Sequence, residues 1–329
     1  MQNSGQIAII AFMMNKNFTK TPAFGYFLAV LSVFFWGITF VCTKTLSKDF
    51  SALEILDIRF VLAYAGLWAL YPKRVHFLQK SDIWLFAAAG FTGVTFYQFA
   101  ENIALVFSNA SNVSVIVSIC PIFTAIIAQI FLKEKHISLF FILGFVFAIC
   151  GVALVSFNGA KAFQLSPKGD FIAMLSAVSW GFYSLFVSLI NKKGYHSAGS
   201  ARIIFFFALL FMIPLSICGK FFGSGSPLWG INLDSAQNAA RFASVLNWVS
   251  LCFLGLVASA FCFTAWNRAC LILGTVKISL GLYLIPVVTI IFAFFALGEK
   301  ITVLGLCGTF LTIFGLFLSG KKNEKTEQN

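Results

Sequence analysis

Residues Phe171–Ser184 read FIAMLSAVSWGFYS, and residues Phe27–Phe40 read FLAVLSVFFWGITF. At an offset of 144, Phe27, Ala29, Leu31, Ser32, Trp36 and Gly37 return as Phe171, Ala173, Leu175, Ser176, Trp180 and Gly181. Six identities in eleven positions exceed what two apolar stretches share by composition alone. The chain reads as a duplication, and so long a period means two halves rather than a solenoid.

A second pair extends the match. PIFTAIIAQIFLKEK starts at Pro121 and PVVTIIFAFFALGEK at Pro286, an offset of 165. Carried backward, that offset pairs Gly90 with Gly255, Phe96 with Phe261, Asn102 with Asn267, Ala104 with Ala269 and Ser114 with Ser279. Past the Glu-Lys pair, omitting His136 makes the offset 164, so Gly144 meets Gly308 and Gly151 meets Gly315; Arg59 meets Arg202 at 143.

Of the 329 residues, 60% are hydrophobic and 10% charged, with a mean hydropathy of +0.92. A soluble domain carries roughly 25% charge, so most of this chain is expected to face lipid. A spanning helix needs about 20 apolar residues. Ten stretches qualify: about 24–43, 53–71, 83–101, 108–131, 139–157, 171–190, 203–219, 246–266, 275–297 and 302–319. The predicted fold is an all-α polytopic membrane protein of ten transmembrane helices. Its parts are an N-terminal segment 1–22, a first repeat 23–157, a linker 158–170, a second repeat 171–319 and a tail 320–329.

The net charge of +12 does not imply nucleic acid, because its distribution follows the loops. With the N-terminus inside, 13 of the 23 Lys and Arg residues fall in cytoplasmic segments and 7 in outer ones; Arg59, Arg202 and Lys277 lie within or beside apolar spans. The bias places both termini in the cytoplasm. The eight cysteines are scattered singly, so neither a disulfide framework nor a zinc site is expected. The early run IAIIAFMM is too short to span and lacks a cleavage site, which rejects a signal peptide and leaves Met13 or Met14 as alternative starts. The longest connection, about Lys220 to Ser244, has room for a short surface helix around Ser235–Phe242.

Five spans per half is an odd number, so the second copy enters the membrane from the opposite side. The halves are predicted to be inverted repeats with a substrate site between them near the midplane. Two tandem five-helix repeats, W-G near the end of the first helix of each and P-x(12)-E-K across the fourth and fifth, resemble EamA-type carriers of the drug/metabolite transporter superfamily. The resemblance covers about residues 27–319. It implies a ten-helix bundle in a bacterial inner membrane that moves small organic solutes, often outward, through a cavity lined by the first, third, fourth, sixth, eighth and ninth helices.

On those helices the candidate cavity residues are Trp36 and Thr39; Phe96, Tyr97 and Glu101; Asn112, Ser114 and Ser118; Trp180 and Tyr183; Phe261 and Asn267; Lys277 and Tyr283. Trp36 and Trp180 either stack on a solute or pack between helices. Tyr97 and Glu101, four apart, share one helix face, although Glu101 near a helix end also reads as solvated. Asn112, Ser114 and Ser118 either bind solute or bond neighbouring helices. Lys277 either snorkels to the surface or faces the cavity and attracts a carboxylate. Asp57 and Arg59 read as a structural ion pair or a headgroup contact rather than transport chemistry; Arg59 reaches Glu54 or Asp57 only by bending, or Glu101 on the next helix. Pro121 and Pro286 break their helices and are hinge candidates; Glu134 and Glu299 read as helix caps.

His76, His136 and His196 lie in or next to loops, and no phosphate loop, metal cluster or nucleophile elbow is present. No cofactor, metal or catalytic set is expected. The expected function is a secondary transporter of small organic metabolites, such as amino acids or similar amphipathic solutes, working by alternating access and exporting. A channel or structural membrane protein is the alternative, and a polytopic enzyme the more distant one. The expected partners are a small-molecule solute and the lipid bilayer, with a homodimer left open.

Overall fold

A computed structural model describes residues 21–108, 110–133, 137–156, 166–222, 226–232, 234–297 and 303–321. The described residues form helices and no strand. Ten long helical elements follow in order. They are α1 (Pro22–Leu46), α2 (Ala52–Leu70), α3 (Asp82–Phe107), α4 (Ala110–Val117 then Cys120–Leu132), α5 (Leu139–Ser156) and α6 (Pro167–Lys192). Then come α7 (Ser197–Phe222), α8 (Val245–Leu273), α9 (Thr275–Ser279, Leu280–Leu284 and Ile285–Leu297) and α10 (Val303–Ser319). The expected surface helix spans Ser235–Ala243. The predicted caps Glu134 and Glu299 fall outside the described residues, as does the N-terminal run.

Among the described residues, seven helices are long and apolar enough to cross a membrane: α1, α3, α4, α6, α7, α8 and α9. Helix α2 carries Glu54, Asp57 and Arg59, while α5 and α10 are apolar but shorter. The outer surface is apolar to a degree that water would not tolerate, with Phe310 and Phe317 of α10 each 75% exposed. The chain is a multi-pass membrane protein.

The chain places its helix starts with ordinary devices. The Thr21 hydroxyl accepts from Phe24 N–H at 3.3 Å, and Pro22 occupies the first turn of α1. Ser51 and Glu54 close a reciprocal capping box on α2. Helix α4 is interrupted between Val117 and Cys120, just before Pro121, and α9 passes through a 3-10 stretch at Leu280–Leu284 just before Pro286. Proline removes a backbone donor and crowds the carbonyl four residues back, so both interruptions sit where the ring cannot accommodate a regular helix.

Two π-helical stretches occupy matching positions, Gly90–Phe96 in α3 and Phe253–Phe261 in α8. Each is gripped by the other half: α7 packs on the first and α2 on the second. Gly90 and Gly255 open those contacts, since a Cβ would come within 2.6 Å of the Ile204 oxygen or 2.5 Å of Leu62 Cβ. Helices α5 and α10 meet along a seam of small residues. A Cβ on Gly151 would approach the Gly308 oxygen to 2.6 Å, and one on Gly315 the Gly144 oxygen to 2.5 Å. The paired numbers run in opposite directions, so the two helices are antiparallel. Small residues let backbones touch where lipid offers no hydrophobic drive for association.

Candidate functional site

The centre of the molecule is an aromatic cluster contributed by α1, α3, α6 and α8. Trp36 lies 5.5 Å from Trp180 and 5.0 Å from Trp266, and Tyr97 lies 4.8 Å from Trp180, measured between ring centroids. Gly37 and Gly181 allow α9 and α4 to press against the helices that carry the two tryptophans; a Cβ there would meet Val288 at 2.6 Å or Ile127 at 2.8 Å. Beside this cluster is a cavity of about 30 Å³ lined by Trp36, Thr39, Phe40, Arg59, Tyr97, Gln98, Glu101, Val117, Trp180, Phe263, Leu282 and Ile285. Space on that scale admits roughly two waters.

The cavity wall is divided by origin. Every hydrogen-bonding or charged side chain in it except the Trp180 indole comes from α1 to α3, and the second half supplies Trp180, Phe263, Leu282 and Ile285. Arg59 and Glu101 are 4% and 6% exposed. Arg59 Nε donates to Ser259 Oγ at 2.7 Å. The described ion pairs are Lys193–Asp82 and Arg241–Glu54, so Arg59 and Glu101 line one cavity without closing on each other. Neither Gln98 amide atom nor Trp180 Nε1 has a hydrogen-bond partner. Trp36 differs: its Nε1 donates to the Ala258 oxygen at 2.9 Å, within the π-helical stretch of α8.

A larger space, about 470 Å³, opens on the face that carries the start of α1 and the end of α10. Its lining includes Thr124, Ser184, Asn191, Lys192, Thr275 and Lys277. Along α6 and α8, Tyr183 and Asn267 lie between this vestibule and the cavity, joined by a 2.9 Å bond from the Tyr183 hydroxyl to Asn267 Oδ1. The opposite face has a recess of about 480 Å³ around Glu54 and Arg241. There Arg241 Nη2 lies 2.7 Å from Glu54 Oε1, and Lys44 Nζ donates to the Leu105 and Ser108 oxygens at the end of α3. On the vestibule face, Lys193 and the Tyr195 hydroxyl both reach Asp82 at 2.6 Å. His196 stacks on Tyr71 at 4.6 Å; burial, with Arg268 and Lys73 nearby, holds it below the usual histidine range.

The structure thus brings Trp36, Thr39, Tyr97, Glu101 and Trp180 to one cavity, while Tyr183 and Asn267, joined to each other, lie further along α6 and α8 and are not in its lining. Other expectations are corrected. Phe96 and Phe261 point outward, 37% and 36% exposed. Each ends a π-helical stretch, whose wider turn rotates the following residues relative to a regular helix, so faces counted at 3.6 residues per turn are displaced there. Lys277 sits at the vestibule rim with Nζ 5.3 Å from the centre of the Tyr26 ring, and does not line the cavity. Tyr283 is buried against Phe145 of α5, away from the cavity. Ser114 and Ser118 are buried but are not in its lining, and Ser118 Oγ donates to the Val115 oxygen. The Asn112 side chain is outside what is described.

Two cavity residues were missed, Arg59 and Gln98. Arg59 pairs with neither nearby acid: Glu54 is held by Arg241, and both Asp57 oxygens accept from Ser216. The signal was an arginine inside an apolar span, which is a starting hypothesis of function there.

Comparison with known proteins decides the family. The EamA-like transporter family model matches residues 23–157 and 167–320. The chain belongs to the EamA-like transporter family. An uncharacterized transporter of Archaeoglobus fulgidus is 24% identical, with 91% of this chain and 98% of the relative aligned. A probable terminal-alkyne amino-acid exporter of Streptantibioticus cattleyicolor is 26% identical over 89% of this chain and 92% of the relative. A solved crystal structure, 15% identical, matches with a TM-score of 0.68 over 89% of this chain and 95% of that one, a likeness of fold. This EamA-like chain is therefore a membrane transporter.

Proposed function

We propose that this EamA-like protein is a secondary carrier that exports small organic solutes by alternating access, with the central cavity as its substrate site. The carrying observation is a small cavity between the two halves, walled by both, whose lining includes Gln98 and Trp180 with buried polar atoms that have no hydrogen-bond partner. A channel would need a continuous path, whereas the Tyr183–Asn267 bond lies between the cavity and the vestibule and the Lys44 and Arg241 contacts tie helices together on the opposite face.

Ten spans in two inverted repeats, residues 23–157 and 171–319, support that mechanism. Gly151 touches Gly308 while Gly315 touches Gly144, and the repeat makes Gly144 equivalent to Gly308 and Gly151 to Gly315. Such a reciprocal contact between antiparallel helices is what a two-fold axis in the membrane plane produces. The interruptions before Pro121 and Pro286 border the cavity or vestibule and serve as hinges in this reading. The loop charges put both termini in the cytoplasm of a bacterial cell, so the vestibule faces inward. The exporter among the relatives favours amino acids or similar amphipathic solutes.

The test is counterflow in proteoliposomes. Internal unlabelled solute should drive transient uptake of the labelled solute above equilibrium, and uptake should saturate. Linear flux without counterflow would overturn the carrier reading in favour of a channel.

A further inference from the structure

We propose that the groove between α2 and α7, on the outer surface of the protein, is a binding site for phosphatidylethanolamine. An acyl chain lies along the groove, Lys220 holds the phosphate, and Asp57 holds the ammonium. None of these groups lines the central cavity, so the site does not depend on the carrier reading.

The groove has a volume of about 400 Å³. Val61 of α2, Leu209, Ile213 and Ile217 of α7 and Ile231 of the following loop give it an apolar lining. Val61, Ile213 and Ile217 are 57%, 52% and 53% exposed. Exposed apolar surface of this kind marks a place that hydrocarbon or a partner covers.

Asp57 breaks that apolar lining in the second turn of α2. A carboxylate inside an apolar span ordinarily faces the bundle interior or pairs with a cation. Asp57 has no cation in contact, because the ion pairs among the described residues are Lys193–Asp82 and Arg241–Glu54. A single hydroxyl, Ser216 Oγ, lies 2.9 and 2.8 Å from its two oxygens. That hydroxyl has one proton to give and also lies 2.9 Å from the Met212 oxygen. The carboxylate therefore keeps acceptor capacity that a cationic N–H donor would fill.

Lys220 stands one turn beyond Ser216 on the same face of α7. Helical side chains lean toward the helix N-terminus, which directs its stem back toward Ser216 and Asp57. It makes no hydrogen bond or ion pair among the described residues. Lys220 and Ile231 also line the polar recess around Glu54 and Arg241, so the apolar groove opens directly into polar space. An amphipathic site with one free ammonium and one unpaired carboxylate at its polar end complements a zwitterionic lipid. A trimethylated head group has no N–H for Asp57, and a phosphatidylglycerol head group brings no cation.

The experiment is native mass spectrometry of the full-length chain in detergent. It is titrated with phosphatidylethanolamine, phosphatidylcholine and phosphatidylglycerol of identical acyl chains. Phosphatidylethanolamine should bind about tenfold more tightly than either other lipid, as expected for one hydrogen bond to a charged group. Equimolar soluble phosphoethanolamine should not displace it, because it lacks the chain that fills the groove. Asp57→Asn should erase the preference over phosphatidylcholine, and Lys220→Gln should weaken all three lipids severalfold. If Asp57→Asn does not fold, the wild-type ranking and Lys220→Gln decide. Equal binding of the three lipids would mean an unselective lipid shell and would overturn the proposal. So would tighter binding of phosphatidylglycerol, displacement by phosphoethanolamine, or a preference that survives Asp57→Asn.

Discussion

The two halves of the chain place the same residue types at matching positions and use them differently. Arg59 and Arg202 correspond, yet Arg59 lines the cavity, whereas Arg202 donates to the Tyr71 and Lys73 oxygens at 2.5 and 2.8 Å and fastens a loop. Trp36 spends its indole N–H on the Ala258 oxygen, whereas the Trp180 N–H is unpartnered. Glu101 corresponds to Trp266, and Gln98 to Phe263. The backbone devices do not diverge: the π-helical stretches, the small-residue seam and the interruptions before proline recur in both halves. The duplication keeps its scaffold in two copies and divides the cavity chemistry between them, polar from one side and apolar from the other.

The largest effect belongs to the seam, where the halves should behave alike. Gly151→Ala and Gly315→Ala each drive a Cβ into backbone that cannot rotate away. Both should destabilise by about 3 kcal/mol or more, seen as equal losses of folded protein after detergent extraction. Unequal losses would show that the two sides of the seam are not equivalent.

The arginines should separate the halves. Arg202→Gln removes two backbone contacts on the vestibule face and should lower the melting temperature by the equivalent of about 2 kcal/mol, with saturated transport retained. Arg59→Gln should reverse that pattern, losing transport with little loss of folded protein. Matching profiles for the two variants would dissolve the distinction.

The tryptophans sharpen the comparison further. Trp36→Phe forfeits the bond to Ala258 and should cost about 1 kcal/mol of stability. Trp180→Phe forfeits no bond within the protein, so its stability should hold while KM for the solute rises. Thermal melts and uptake kinetics on the same preparations decide it.

The smallest effect lies at the Lys193 clasp. The Lys193 side chain is 33% exposed and its partner Asp82, 1% exposed, keeps the bond from the Tyr195 hydroxyl, so Lys193→Ala should have a small effect on stability that shrinks further in high salt. Arg241 and Glu54 are 9% and 8% exposed; Arg241→Ala strands a buried carboxylate and should cost more. Salt titration of the melting temperature distinguishes the two faces.

Much of this was legible in the chain, because repeated glycines, prolines and Trp-Gly pairs act through local backbone geometry. Trp36, Trp180, Tyr97 and Glu101 could be singled out for the same reason: each stands at a repeat position or at regular helical spacing. Phe96 and Phe261 could not be oriented, since a π-helical turn changes the period on which helix faces are counted. The surroundings of Arg59 could not be read from its neighbours in sequence, because Arg241 and Ser216, far along the chain, occupy Glu54 and Asp57. Lys277 could be read from the sequence either as snorkelling to the surface or as facing the cavity, and the structure places it at the vestibule beside the Tyr26 ring.

By itself the sequence determined that the chain is duplicated, apolar enough for a membrane and of the EamA type. Those properties reside in composition, period and short motifs. Only the tertiary structure decided which charged groups share the cavity, because that depends on contacts between residues some two hundred positions apart, such as Arg59 with Ser259 and Trp36 with Ala258. A buried charge is defined by what it fails to meet, and that can be seen only once every neighbour is in place.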